Sequence, residues 1–325
     1  MSRFAKPKVL VSRCLGVEAC RYDGAIIPDE FVDRLREHAD VVAVCPEVAI
    51  GLGTPRDPVQ VVADARHRKL VQPSTGDDLT EQIESYTHET VSRIGQLDGA
   101  ILKSRSPSCG IHDVTIRNAR GGSVLTGKGR GMFADGLMRA FSGKAIEDEA
   151  RLSNERIRDH FLTKLYCLAD FRRTRQAGTM KGLVEFHSRQ KLTLMAYHQV
   201  EMRQLGRLVA NDEGLAVEAI YESYQRGLER ALARMARYTS HVNVLMHGFG
   251  YYSQDLTSRE RRHYLSALDD YREGKMPLVG VKQMMVSRLY QFDLQYLIDQ
   301  TYFRPYPEDL VFVDRKTLRR TRTLA

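Results

Sequence analysis

The chain has 325 residues, 42% of them hydrophobic and 28% charged, a composition that excludes disordered, collagen-like and coiled-coil classes and allows about two domains. No apolar run approaches the ~18 residues of a membrane helix, and the polar start at 1–8 lacks a secretory signal, so a cytoplasmic protein without membrane attachment is expected. The net charge of +8 is uneven: residues 1–150 carry 20 Lys and Arg against 21 Asp and Glu, whereas 151–325 carry 29 against 20, an asymmetry that points to nucleic acid or to a plain basic enzyme.

In chain order, continuous apolar runs predict buried strands over 8–12, 40–44 and 99–102. Helical spacing lies between and after them, over 29–39, over 77–95 with Asp77 or Thr80 as cap, and over 132–141. Alternation of this kind predicts an α/β domain over 1–150 with a Rossmann-like parallel sheet. Asp57 and the stretch 66–69 read as a solvated loop. The glycine-rich segment 126–133 reads as a loop whose N–H groups could hold an anion at a helix start. Residues 151–325 predict an all-helical domain, with helices over 155–172, 183–209, 215–244, 258–271 and 281–299.

The cysteine count is odd, and a reducing compartment disfavours disulfides, so ligands, a nucleophile or core positions are expected. Cys14, Cys45 and Cys109 each follow a predicted strand. They therefore share the carboxyl edge of one sheet, where open α/β sheets bind ligands. Cys20 sits in the first of these loops and Cys167 in a helical core stretch. Three convergent thiolates fit a zinc site with His112 as fourth ligand, or an iron–sulfur cluster with one iron lacking a protein ligand. His187, His241, His247 and His263 match no zinc spacing.

A helix over 215–244 would place Arg226, Arg230, Arg234 and Arg237 within an arc of about 80°, opposite Leu228, Leu232, Met235 and Val242. Such a ridge could contact RNA phosphates, with Tyr238, Tyr251 and Tyr252 available to stack on bases. The basic tail at 315–322 is a second candidate arm.

The segments Ser12-Arg-Cys14-Leu-Gly16 with Cys20-Arg-Tyr-Asp-Gly24, Cys45-Pro-Glu47, and Lys103-Ser-Arg-Ser106-Pro-Ser-Cys109-Gly110 resemble the thiouracil desulfidase (TudS) family over about 6–148. The segments Phe186-His-Ser-Arg-Gln-Lys-Leu192, 241–250 and 300–307 resemble the YbgA-type domain, and the two in this order resemble RudS-type tRNA 4-thiouridine desulfidases. The resemblance implies a [4Fe-4S] cluster on Cys14, Cys45 and Cys109 with a fourth iron open to substrate sulfur. It also implies catalytic roles for Glu47 and Ser106, Ser108 and Ser104 being weaker candidates. Leu15-Gly16 and Cys20 depart from the family pattern, which many members write with a doubled Leu and a Val. The implied activity turns 4-thiouridine in tRNA into uridine and sulfide, the second domain holding the tRNA. Two alternatives stand beside it: a small-molecule thiouracil desulfidase whose helical domain makes a homodimer, and a zinc-stabilised nucleic-acid-binding protein without enzyme activity.

Overall fold

The computed structural model describes residues 4–63, 67–120 and 122–311. In chain order the first part runs β1 (Lys8–Ser12), α1 (Glu30–His38), β2 (Asp40–Val44), α2 (Pro46–Ala49), β3 (Gln60–Ala63), β4 (Arg68–Gln72), β5 (Asp77–Asp78), α3 (Thr80–Ile94), β6 (Gly99–Leu102), β7 (Val114–Asn118), β8 (Val124–Gly129), α4 (Met132–Ala140) and β9 (Ala145–Asp148). Helices follow: α5 (Glu149–Leu152), α6 (Glu155–Ala177), α7 (Met180–Tyr197), α8 (Gln199–Ala210), α9 (Val217–Ala231), α10 (Tyr238–Phe249), α11 (Ser258–Arg272), α12 (Leu278–Gln291) and α13 (Gln295–Ile298). The expected order, a parallel α/β sheet followed by helices, is what the chain adopts.

The chain forms two compact units. One comprises the described residues up to Ala169 with those from Pro307 onward, and the other spans Asp170–Tyr306. The first holds a four-stranded sheet in the order β2-β1-β6-β9, and each neighbouring pair is parallel. Val9, Leu10, Val11, Ala100, Ile101 and Leu102 are fully buried in it, as unalternating apolar runs require. From β1 the chain turns toward β2 on one side, and from β6 toward β9 on the other. Their carboxyl ends are therefore a topological switch point, where a crevice opens.

A second sheet, in the order β5-β4-β3-β7-β8, corrects two sequence expectations. Of the presumed solvated loop, Arg68 and Lys69 lie in β4, while residue 66 lies outside the described residues. Of the glycine-rich segment, Thr126–Gly129 belong to β8. These strands are short, and β3 pairs in parallel with β7, more than fifty residues away (Val61 opposite Ile116), so no local pattern announced them. The cap of α3 also differs, being Leu79 rather than Asp77 or Thr80; Asp78 accepts from the backbone N–H of Thr80 instead.

In the second unit two expected helices break without glycine or proline. His198 ends α7 and caps α8, its Nδ1 accepting from Glu201 N at 3.2 Å. The helix expected over 215–244 stops at Ala231 and restarts at Tyr238. The motif residues here tie helices together. Gln300, 1% exposed, inserts its amide into the ladder of α7: Oε1 accepts from Leu192 N at 3.0 Å and Nε2 donates to Ser188 O at 2.9 Å. His241 Nδ1 lies 3.0 Å from Tyr302 Oη, and His187 Nδ1 lies 3.0 Å from Tyr224 Oη. Among the described residues no helix is long and apolar enough to cross a membrane.

Candidate active site

The three sheet-edge loops converge. Cys14 follows β1 by two residues, Cys45 is the residue before α2, and Cys109 lies in the loop after β6. All three line one cavity of about 370 Å³ in the first unit. The tight approach of the third loop to α4 fixes that loop. Gly131 N donates to Gly110 O at 2.8 Å, Met132 N to Pro107 O at 3.0 Å, and Ala134 N to Ser108 O at 3.0 Å. A Cβ on Gly131 would fall 2.5 Å from the Ser108 backbone, so only glycine permits this contact. The helix-start N–H groups read from sequence as an anion cradle are thus committed to carbonyls of the cysteine loop, which is a correction.

Cys109 is 5% exposed and Cys45 8%, while Cys14 is half-buried; none of the five cysteines is in a disulfide. Burial, and then the nearby Cys45, pushes the Cys14 thiol up to about 11. Burial raises Cys109 well above its ordinary value, against a lowering hydrogen bond from Ser12. Ser12 also accepts from Lys103 N at 2.9 Å, which links the first loop to the third. Cys20 lines the same cavity, and its thiol is pushed up to about 12 by burial and then by Cys45 and Cys14. Cys167 is buried on α6 and is not part of the cavity lining.

Glu47 also lines the cavity, 8% exposed. Arg56 grips one of its oxygens, with Nε and Nη2 at 2.9 and 2.8 Å from Oε2. Ser108 Oγ donates to the other, Oε1, at 2.8 Å. Arg56 Nη1 donates further to Cys20 O at 3.0 Å and Gly53 O at 2.9 Å, which pins the first and second loops together. Ser106 Oγ accepts from Cys109 N at 3.0 Å and Ser108 N at 3.3 Å, which closes the turn around the cysteine. Ser106 lines the cavity and Ser108 does not. Beside Cys14, Glu149 binds Lys103 and accepts from Ser104 N and Ser104 Oγ, each at 2.8 Å.

Sequence reasoning missed Arg56 and Glu149. Arg56 is nine residues from its partner, in a segment with no periodic pattern, and only Pro55 and Pro58 around it signalled a shaped turn. His112, the suggested zinc ligand, is not in the lining; its Nδ1 sits 3.2 Å from Asp148 Oδ2.

Among the described residues no three of His, Cys, Asp or Glu converge closely enough to hold a single metal ion. The donor set is instead soft thiols spread around a cavity. That suits a polynuclear iron–sulfur group, whose ligated irons stand apart, rather than one tetrahedral ion. Neutral thiols held protonated by burial give up their protons when such a group binds.

The expected arginine ridge does not form on one helix. Arg226 and Arg230 lie on α9, Arg234 in the turn after it, and Arg237 caps α10. Arg230 is paired with Glu201, Nε to Oε1 at 2.8 Å and Nη2 to Oε2 at 3.0 Å. Met235, expected in the core, is 43% exposed, and Tyr252, expected to stack on bases, is buried at 1%. Leu232 and Val242 are each buried, but in separate segments, so packing rather than propensity set the break. The basic tail at 315–322 lies outside the described residues.

Comparison with known proteins agrees with this site. The model of the 2-thiouracil desulfurase family matches residues 9–149, and a second, described as a protein of unknown function (DUF1722), matches 191–307. The uncharacterized protein YbgA of Escherichia coli (strain K12) is 30% identical over 155 residues, which is 47% of this chain and 92% of that protein. The uncharacterized protein YbbK of Bacillus subtilis (strain 168) is 31% identical over 131 residues, 37% of this chain and 84% of that protein. A solved structure titled as the [4Fe-4S]-dependent thiouracil desulfidase TudS is 31% identical and covers 46% of this chain and 94% of its own, with a TM-score of 0.36. The chain belongs to the 2-thiouracil desulfurase family through its first half, to which a YbgA-type second half is joined.

Proposed function

We propose that the protein is a [4Fe-4S]-dependent, non-redox desulfidase that replaces the sulfur of a thiouracil-type base by oxygen, the base being 4-thiouridine in tRNA. The observation that carries the reading is the single cavity shared by Cys14, Cys45, Cys109 and a fixed Glu47. Those three thiols would hold the cluster, which when bound supplies a soft Lewis-acidic iron for the thiocarbonyl sulfur. Glu47 is oriented by Arg56 and Ser108. In that position it accepts the proton of a water attacking the thiocarbonyl carbon. Ser106 keeps an O–H to donate to the pyrimidine edge, since its oxygen takes the two backbone N–H groups. Overall, C=S and water become C=O and hydrogen sulfide, so no electron is consumed.

The tRNA part rests on charge. The second unit, 170–306, carries 20 Lys and Arg against 15 Asp and Glu, a net of +5 that suits a phosphate backbone. A free thiouracil base is the second reading. It is favoured by the location of the whole cavity within the first unit, where the TudS relative named for thiouracil also aligns.

The test is iron and sulfide quantification on anaerobically prepared full-length protein, followed by sulfide release from thiolated tRNA and from free thiouracil. Cys14→Ala, Cys45→Ala and Cys109→Ala should each lose cluster and activity, and Cys167→Ala should keep both. An iron-free, colourless wild type would reject the reading. Turnover of the free base at a higher kcat/KM than the tRNA would move the substrate to the second reading.

A further inference from the structure

The cavity is bordered by more thiols than the three that the proposed function uses. Cys20 is 1% exposed and is part of the lining. Its thiol is within hydrogen-bonding reach of the Cys45 sulfur and close to Cys14. The Cys45 thiol in turn faces the Cys20 carbonyl at 3.7 Å. That carbonyl accepts from Arg56 at 3.0 Å, the same guanidinium that holds Glu47, so the backbone of Cys20 is anchored to the reaction centre. Leu15 and Ile27 form a bridge across the base of this loop, and Gly16 N donates to Ile27 O at 2.8 Å. The loop is therefore braced on both sides of Cys20.

A small buried thiol can be simple packing, and Cys167 on α6 is that case. Cys20 differs in its neighbours. It meets two other thiols, at a cavity edge, on a backbone fixed by an arginine. Iron–sulfur clusters take four thiolates where four are in place.

We propose that Cys20 is a fourth thiol ligand of the cluster site, covering at rest the iron that Cys14, Cys45 and Cys109 leave without a protein ligand. The inference rests on the reading of the cavity as a [4Fe-4S] site. It implies that substrate sulfur and Cys20 compete for one iron. It also implies that the resting cluster is guarded against losing that iron, because an iron without a protein thiolate is the first to leave on oxidation.

The experiment compares full-length wild type with Cys20→Val and Cys20→Ser, all reconstituted anaerobically. Valine fills the buried site with an apolar side chain of similar size, and serine keeps the shape with a harder donor. Each protein is titrated with ferricyanide while iron content and the EPR signal of three-iron clusters are followed, with thermal melting as the fold control. The wild type should hold its iron and show little three-iron signal. The valine variant should shed iron early and show a several-fold larger signal, with serine between them. Equal signals in wild type and both variants would overturn the inference and leave the cluster reading standing. Variants that melt like the wild type yet bind no iron would also overturn it, since Cys20 would then be one of the three permanent ligands. A wild type that takes up no iron would overturn both the inference and the function it rests on.

Discussion

Arg56 and Glu47 form a buried ion pair in which both guanidinium nitrogens meet one carboxylate oxygen, at 2.9 and 2.8 Å, while Ser108 donates to the other at 2.8 Å. The side chains are only 5% and 11% exposed. Breaking such a pair from one side leaves a buried charge alone, which typically costs about 3–5 kcal/mol. The pair therefore serves two ends: it orients Glu47 in the cavity and locks the loop from Glu47 to Pro58 against Cys20.

Glu47→Gln should keep the cluster's iron and colour yet lose about 10²–10⁴-fold in turnover, the usual contribution of a general acid–base group. Arg56→Ala should lower the melting temperature as well as turnover, because Glu47 loses its partner. Arg56→Lys should recover stability better than turnover, since a lysine supplies charge without the planar fork. Wild-type turnover in Glu47→Gln would reduce Glu47 to a structural role.

The two serines of the third loop should separate. Ser106 lines the cavity, while Ser108 is fully buried behind Glu47. Ser106→Ala should retain iron and lose kcat; any destabilisation should stay modest, since the hydroxyl caps two backbone N–H groups of a part-buried turn. Ser108→Ala should act through Glu47 and add little further loss in a Glu47→Gln background. Additive losses in the double variant, measured as kcat ratios, would show that Ser108 acts independently.

For RNA binding, the useful variant excludes Arg230, because a glutamate there would face Glu201. Arg226, Arg234 and Arg237 are exposed. Replacing these three with glutamate should weaken binding of thiolated tRNA strongly and flatten its dependence on salt, with iron content unchanged. Affinity at several salt concentrations measures this. An unchanged affinity would clear this surface and shift attention to the tail at 315–322.

Acid stability should depend on His160. Burial, and then Lys164, pulls its imidazole down to about 4, against an opposing Asp159. The unfolded chain binds a proton near its ordinary value of about 6.5, which the folded chain refuses. This contribution is therefore fully present above about pH 6.5 and is lost as the pH falls toward about 4. At 1.36 kcal/mol per pH unit, the span amounts to at most about 3 kcal/mol. In His160→Gln the melting temperature should fall less steeply between these pH values than in the wild type. Parallel curves for the two proteins would contradict the assignment.

The sequence by itself determined the parallel sheet and the edge where chemistry happens. Runs such as Val9-Leu-Val11 and Gly99-Ala-Ile-Leu102 are buried on both faces, so their periodicity is unambiguous. The loops that follow them then had to carry Cys14, Cys45 and Cys109 to one side. Tertiary structure alone decided what joins segments that are distant in sequence. It paired β3 with β7, directed the arginine of 56 onto the carboxylate of 47, and gave Ser108 rather than Ser106 the bond to Glu47. It also broke a helix-favouring stretch between Ala231 and Tyr238, separating four arginines that a regular helix would have aligned. Local propensity is worth tenths of a kcal/mol per residue, whereas burying Leu228, Leu232, Val242 and Leu245 is worth about 1.5–3 kcal/mol for each side chain, so packing set the path of the backbone there.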